Sequence, residues 1–480
     1  MSHDGHHQSL DRAGAASNPK HTRSSSCELK SPASKRSQVP RACERCKRLR
    51  RGCSEYRPCR RCVDAGLRDQ CHGGGSPLQV VHSPTNGSGS NYQRLAALLP
   101  SHVLEHCSRR FFETLHPTIP VLTDQYLTRL RSVALYAETG IESLCVLVAM
   151  CAQVLLQAEE PEGLLEVDDG VETKAAYGRL LLEAARSVQR TLPARLPPSI
   201  EVCLFTFFLY ACETSLSHHS QAFRCLREAT TMLMLFRPPE ADEVVQLVHA
   251  RLFWVLLISE RSHAIRYRRP LTLSICHDTP KLRLADPALA GFSSLAALFT
   301  PVDTSFVAML NQEIMLMPPS ASGLDSIEAA VNAALSPGIP LHDTQKANLR
   351  VTQLWLRIII WQLRLRLGWL VEESLRPSQT FRFPMEVAKD LMLSTRDLPL
   401  SSLIVHGVGL TEKMFDIAST LIDVLARVPA TPTTAMVFTD SRHQHLAYIR
   451  SIIVRLPGGT TIYDDLLEKH IQQALPDQAS

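Results

Sequence analysis

The stretch RACERCKRLRRGCSEYRPCRRCVDAGLRDQC, residues 41 to 71, holds six cysteines spaced C-x2-C-x6-C-x5-C-x2-C-x8-C: Cys43, Cys46, Cys53, Cys59, Cys62 and Cys71. The other eight cysteines of the chain stand singly between Cys27 and Cys276. A disulfide framework and a metal cluster are the competing readings of the six. The first residues, MSHDGHHQSLDRAG, lack the apolar stretch of a secretory signal. The longest apolar runs, Val202 to Cys212 and Leu144 to Leu156, fall short of the roughly 18 to 20 residues of a membrane span. A soluble intracellular chain with no membrane partner is therefore expected, and in a reducing compartment paired C-x2-C units favour metal. Zinc takes four tetrahedral ligands, so two ions need eight positions, which six cysteines fill if two of them bridge both metals. Each C-x2-C pair, at i and i+3 on the first turn of a short helix, puts both sulfurs on one face near amides that favour thiolate.

Charge is unevenly spread. The net charge is +4, yet residues 1–76 hold 16 basic and 7 acidic side chains, net +9, leaving the remainder at net −5. Such a block points to a polyanionic partner, against the plainer alternative of a basic tail that contacts nothing specific. Between Cys46 and Cys53 lie Lys47, Arg48, Leu49, Arg50, Arg51 and Gly52. Four cations on one short helix read either as a solvated face balancing the cluster or as a helix that enters the major groove.

All six cysteines, in order, resemble the fungal binuclear zinc cluster domain. The resemblance implies two Zn2+ per chain, one held by Cys43, Cys46, Cys53 and Cys59 and the other by Cys43, Cys59, Cys62 and Cys71, with Cys43 and Cys59 bridging. It implies a partner, double-stranded DNA, and a reader of guanine in a CGG triplet at the fourth residue after the second cysteine, here Arg50. A guanidinium can grip guanine O6 and N7 together. Lys47, Arg48, Arg51, Arg60 and Arg61 then read as phosphate contacts, which hold register without reading sequence. Pro58 matches the family's proline between the two halves. Gly52 departs from the pattern, since many relatives place a Lys or Arg just before the third cysteine.

Residues 1–40 are rich in Ser, His, Lys and Pro and cannot bury enough apolar surface to order themselves. His3, His6, His7 and His21 read as a solvated tail, with metal binding the alternative. Residues 73–92, which overlap the stretch HGGGSPLQVVHSPTNGSGSN from His72 to Asn91, read as a Gly/Ser/Pro linker. It lacks the heptads with which many relatives pair two subunits, which leaves homo-oligomerisation open.

Residues 93–475 are predicted to be all-helical, so the fold class is mostly α: a small zinc module, a flexible linker and a large helical regulatory domain. In the segment Val244 to Arg269, Val245, Val248, Leu252, Val255 and Leu256 recur at helical spacing, and its apolar middle predicts a buried central helix. Arg350 to Glu373 reads likewise. Three stretches, His106 to Leu127, Phe253 to Leu273 and Ser402 to Leu425, resemble the helical middle homology region of these fungal regulators, in the branch of sugar-utilisation, quinate and secondary-metabolite control.

Nothing in the sequence marks an enzyme: there is no H-E-x-x-H, G-x-S-x-G or P-loop. His218 with His219, and His443 with His445, are loose pairs without carboxylates at ligand spacing. Glu260 and Arg261, inside an apolar helix, read as a structural ion pair, with ligand binding the alternative. Ile462 to Leu475 reads as a last amphipathic helix or as an activating segment for coactivators. The resemblance implies a nuclear regulator of RNA polymerase II transcription, acting on one pathway or gene cluster. The rivals are a zinc-stabilised protein- or RNA-interaction module on a helical scaffold, and a helical enzyme with a DNA-targeting module.

Overall fold

The computed structural model describes residues 43–50, 53, 59–65, 71, 87–136, 140–157, 162–167, 170–192, 195–282, 289–313, 320–335, 338, 340–428 and 435–475. The chain divides into two compact units, Met1–Pro84 and Thr85–Ser480. The first contains the short helices α1 (Glu44–Arg48) and α2 (Arg60–Asp64). The 1–40 tail lies outside the described residues.

The second unit runs through α3 (Gly87–Ala97), α4 (Ser101–Arg110), α5 (Asp124–Ala134), α6 (Ile141–Leu156), α7 (Lys174–Gln189), α8 (Ile200–Ser215), α9 (His219–Leu235) and α10 (Glu243–Tyr267). It continues with α11 (Ala290–Phe299), α12 (Thr304–Asn311), α13 (Ala321–Ala333), α14 (Asp343–Arg366), α15 (Phe383–Thr395), α16 (Ser401–Ile404), α17 (Val408–Arg427), α18 (Ala435–Ile453) and α19 (Asp464–Ala474). Starts are set by side chains that accept an otherwise orphaned backbone N–H: Thr123 for α5, Thr173 for α7, Ser199 for α8, Asp242 for α10, Asp303 for α12 and Ser320 for α13.

Val245, Val248, Leu252, Val255 and Leu256 are all buried, as the periodicity predicts. Helix α10 ends where Arg268 turns left-handed, at φ 54°, two residues before Pro270. Helix α14 begins earlier than the apolar pattern suggested, at Asp343, and stops at Arg366. Gly368, at φ 70°, turns the chain away before the expected end at Glu373.

Three expectations are revised. The helical unit carries an antiparallel hairpin, β1 (Leu164–Val167) paired with β2 (Gly170–Thr173). Helix α3 starts inside the stretch read as linker. Its Gly/Ser start has poor helix propensity, but docking overrides it: Leu95 is fully buried, the Tyr92 hydroxyl donates to Ala134 O at 2.7 Å, and Asn91 Nδ2 donates to Thr191 Oγ1 at 2.9 Å. Glu260 and Arg261 are not partners of each other, because adjacent helical residues point about 100° apart. Glu260 takes Arg227 at 2.6 Å and the backbone N–H groups of Thr272 and Leu273 at 2.8 Å, whereas Arg261 donates to the carbonyls of Phe299 and Thr300. Glu260 thus locks the loop after α10, and Arg261 the C-terminal end of α11, onto α10.

Long-range charge cohesion centres on Arg266. Its Nε lies 3.3 Å from Glu412 Oε2, and its Nη1 pairs with Asp416 Oδ2. Trp355 Nε1 donates to Asp416 at 2.9 Å, and the Tyr267 and Tyr463 hydroxyls donate to Glu412 at 2.7 and 2.9 Å. One cluster thus ties together α10, α14, α17 and the turn before α19. Burial would lower the Arg266 pKa, but Asp416 and Glu412 outweigh it and hold the guanidinium above its usual range. Leu467 and Tyr463 are buried, so the last amphipathic segment is packed as a helix. Cys107, Cys145, Cys151, Cys203, Cys212 and Cys225 are buried as small apolar side chains, Cys107 lying beside Cys151, and Cys276 is exposed.

Two imidazoles make this unit acid-sensitive. Burial pushes His406 and His263 down to about 4 from an ordinary value of 6.5. Between those limits the unfolded chain binds more protons, so stability is complete above pH 6.5 and is lost as the pH falls toward 4. At pH 5 each should cost about 2 kcal/mol. All four tryptophans, Trp254, Trp355, Trp361 and Trp369, belong to this unit, so urea titration by tryptophan fluorescence reads it alone. His406→Gln should remove its share of the loss between pH 7 and pH 5, and an unchanged pH slope would contradict the assignment.

Candidate metal centre and nucleic-acid interface

Helices α1 and α2 place four of the six cysteines by one repeated device. Cys43 immediately precedes α1 and Cys46 is its third residue; Cys59 is the N-cap of α2, in extended backbone, and Cys62 is its third residue. An N-cap position turns a side chain back over the exposed amides of the first turn. In α1 this brings Cys46 N to 3.4 Å from Cys43 Sγ. The later cysteines close each half: Cys53 Sγ accepts from Cys43 N at 3.4 Å, and Cys71 Sγ accepts from Cys59 N at 3.1 Å.

The sulfurs form two groups of four whose members all lie within 4.8 Å of one another: Cys43, Cys46, Cys53 and Cys59, and Cys43, Cys59, Cys62 and Cys71. Cys43 and Cys59 are common to both. The separations Cys43–Cys59, Cys43–Cys62 and Cys46–Cys59 are 3.9, 3.8 and 3.7 Å. Four thiolates at about 2.3 Å from a tetrahedral zinc have edges of about 3.8 Å, so the spacing suits that ion. Disulfides need sulfurs about 2.0 Å apart, which excludes them here.

Without metal the thiols compete. The backbone N–H of Cys46 leads in drawing Cys43 down to about 6. Burial, followed by the neighbouring thiols, pushes Cys46 well up. At Cys71 the N–H of Cys59 pulls down, but burial and the surrounding sulfurs win and push it up to about 12. Arg45 Nη1 lies 3.8 Å from Cys62 Sγ and offsets part of the thiolate charge.

Helix α1 ends at Arg48, so the basic run does not continue as a helix to Cys53. Leu49 N still bonds Arg45 O at 3.0 Å, and Arg50 then takes a left-handed backbone at φ 49°, with its side chain exposed. That conformation costs a non-glycine residue roughly 1–2 kcal/mol. Lys47 lies within α1, Arg48 is exposed at its end, and Arg60 and Arg61 are exposed on the first turn of α2. Arg51, Gly52 and Pro58 lie outside the described residues.

The pair His218 and His219 acquires partners that spacing did not reveal. His218 Nδ1 is 3.0 Å from Glu213 Oε2, and His219 Nδ1 is 2.8 Å from the Tyr267 hydroxyl and 4.0 Å from Glu412. These are structural contacts of the helical unit, and the only groups of metal-ligand geometry among the described residues are the two cysteine sets.

A basic six-sulfur module and a separate helical body are the two parts that the resemblance to fungal six-cysteine zinc regulators implies. No protein-family profile matches the chain. The known proteins it is similar to are fungal, and by name they serve sucrose utilization, respiratory transcription and the regulation of maltose fermentation. The probable sucrose utilization protein of Candida albicans is 25% identical over 244 residues, 48% of this chain and 47% of that protein. A respiratory transcription factor of Saccharomyces cerevisiae is 22% identical over 345 residues, covering 68% and 70% of the two chains. A maltose fermentation regulatory protein of the same yeast is 20% identical over 418 residues, covering 80% and 85%. The chain thus spans about half the length of the Candida relative and most of the other two.

Proposed function

We propose that the protein is a nuclear, zinc-dependent regulator that binds GC-rich duplex DNA through residues 41–72 and controls the use of a carbon source. The observation that supports this most is the sulfur spacing of two tetrahedra sharing Cys43 and Cys59. Six thiolates with two Zn2+ carry a net −2, and the adjacent arginines offset it while leaving exposed cations for a polyanion. Residues 73–92, the last of which already form the start of α3, then join this module to the regulatory body that follows.

In this reading Arg50 reads a guanine of a CGG triplet, and Lys47, Arg48, Arg51, Arg60 and Arg61 contact phosphates. The backbone of Arg50 fits such a role: a conformation held at some cost projects one cation away from its helical neighbours. Arg50→Ala should lose about 1–3 kcal/mol of discrimination between a CGG duplex and its scrambled counterpart, whereas Arg51→Ala should weaken both duplexes alike. Titration of the full-length variants at one fixed salt concentration checks this, and equal losses on both duplexes for Arg50→Ala would contradict the assignment. If wild-type binding showed neither salt dependence nor base preference, the reading as a protein- or RNA-contact module would take its place.

A further inference from the structure

Side chains from the ends of α10 and α14 meet at one oxygen of α12. The Leu310 carbonyl, in the last turn of α12 where carbonyls lack helical partners, accepts from Arg268 Nη1 at 3.2 Å and from Arg366 Nη1 at 3.1 Å. Arg268 caps α10, Arg366 is the last residue of α14, and both are exposed. Two guanidiniums thus stand side by side on one neutral acceptor.

No carboxylate balances them. In the neighbouring cluster Arg266 and Lys413 already stand against Glu412 and Asp416, two cations to two carboxylates. Arg364 takes Asp325 and Glu328, and the Arg269 guanidinium lies over the Phe223 ring. Glu313, the carboxylate nearest to Leu310 in sequence, accepts from Asn311 Nδ2 at 2.9 Å. Among the described residues neither Arg268 nor Arg366 forms an ion pair with a carboxylate. A helix end supplies only about half a negative charge, less than one guanidinium carries. Desolvation, followed by Arg366, draws Arg268 below its usual range against a weaker opposing effect of Asp416, and desolvation draws Arg366 the same way.

The backbone of Arg268 is a separate observation. It is left-handed, at φ 54°, where a helix end ordinarily carries glycine, and an arginine holds that conformation at a cost. Capping α12 does not explain the cost, since Arg366 alone gives the Leu310 carbonyl a donor. What the second guanidinium adds is charge, and strain of this kind collects at ligand clamps.

We propose that Arg268 and Arg366 clamp a phosphate dianion, either free or as the monoester of a small metabolite. Guanidinium forks suit phosphate oxygens, and two of them match its two charges. The site is independent of the cysteine cluster, so its failure leaves the DNA-binding reading untouched.

Tryptophan fluorescence in urea reads the helical unit alone, so phosphate held by arginines of the zinc module does not enter the measurement. At pH 8, 20 mM inorganic phosphate should multiply the folding equilibrium constant of the full-length protein about fivefold over potassium chloride of equal ionic strength, which corresponds to a dissociation constant near 5 mM. Glycerol 3-phosphate is the second probe: an equal or larger gain marks an esterified ligand, a smaller one the free ion, and either keeps the proposal. Acetate, with one charge, should give less than about twofold. In Arg268→Gly and Arg366→Met the phosphate gain should fall below about twofold, and what persists there measures the general salting effect of phosphate, which needs no site. Without phosphate, Arg268→Gly should be as stable as wild type or more so, because glycine suits that backbone. No gain over chloride in the wild type, an acetate gain as large as that of phosphate, or an undiminished gain in either variant would each overturn the proposal. Should Arg366→Met fail to fold, Arg268→Gly decides.

Discussion

Replacing Cys59 with serine should strip the chain of both metals, whereas replacing Cys53 or Cys71 should spare one. The asymmetry follows from the sulfur groups: Cys59 belongs to both sets of four, Cys53 only to the first and Cys71 only to the second. A structural zinc contributes on the order of 10 kcal/mol to a module of this kind, so loss of a shared ligand should unfold the whole cluster. Native mass spectrometry of the full-length protein should read about two zincs in wild type, about one in Cys53→Ser and Cys71→Ser, and about none in Cys59→Ser. DNA affinity of Cys59→Ser should fall by about a hundredfold or more, while tryptophan fluorescence, confined to the helical unit, stays unchanged. One zinc in the wild type, or the same loss in all three variants, would rule out the shared-ligand arrangement.

The second large effect belongs to the helical unit. Arg266→Met should destabilise it by about 3–5 kcal/mol, a substantial part of an ordinary domain's 5–15 kcal/mol. The variant leaves Glu412 and Asp416 together on adjacent turns of α17 without their common cation, in surroundings where burial already pushes the Asp416 carboxyl up. The hydroxyls of Tyr267 and Tyr463 and the indole of Trp355 remain as donors, so the pocket is not left entirely bare. Because the stranded carboxylates can take up protons, the deficit should shrink as the pH falls from 7 toward 5. Urea titration at both pH values checks size and sign. A loss under about 1 kcal/mol would show that the cluster contributes no more than a surface pair.

The two units were legible in the sequence to different depths. Metal ligation is local: six sulfurs, their order and the tetrahedral number four are all present between Cys43 and Cys71, and the folded geometry groups them as the counting requires. The backbone at Arg50 was not legible, since no residue type nearby announces a left-handed turn. In the helical unit, a strong period of 3.6 located α10 and α14 but left their ends to capping and to Gly368. Helix α3 was hidden because its stability comes from Leu95 and Tyr92 docking on distant helices, not from its own Gly/Ser composition. Arg266 could not be joined to Glu412 and Asp416 from sequence, lying about 150 residues before them. A hint lay in the charged Glu412, Lys413 and Asp416, which interrupt an otherwise apolar helix.

The burial of the helical body's cysteines turns the thiols into a gauge of metal loading. Burial pushes Cys145 and Cys203 up to about 12, and raises Cys151 and Cys212 as well, so a colorimetric thiol reagent should pass over them while the helices stand. With the cluster filled, Cys276 is the described thiol left to react at once; when the ions depart, six more join it. A sample that has lost its ions to a chelator in storage would thus declare its state by a stoichiometric rise in colour, before any assay on DNA is attempted.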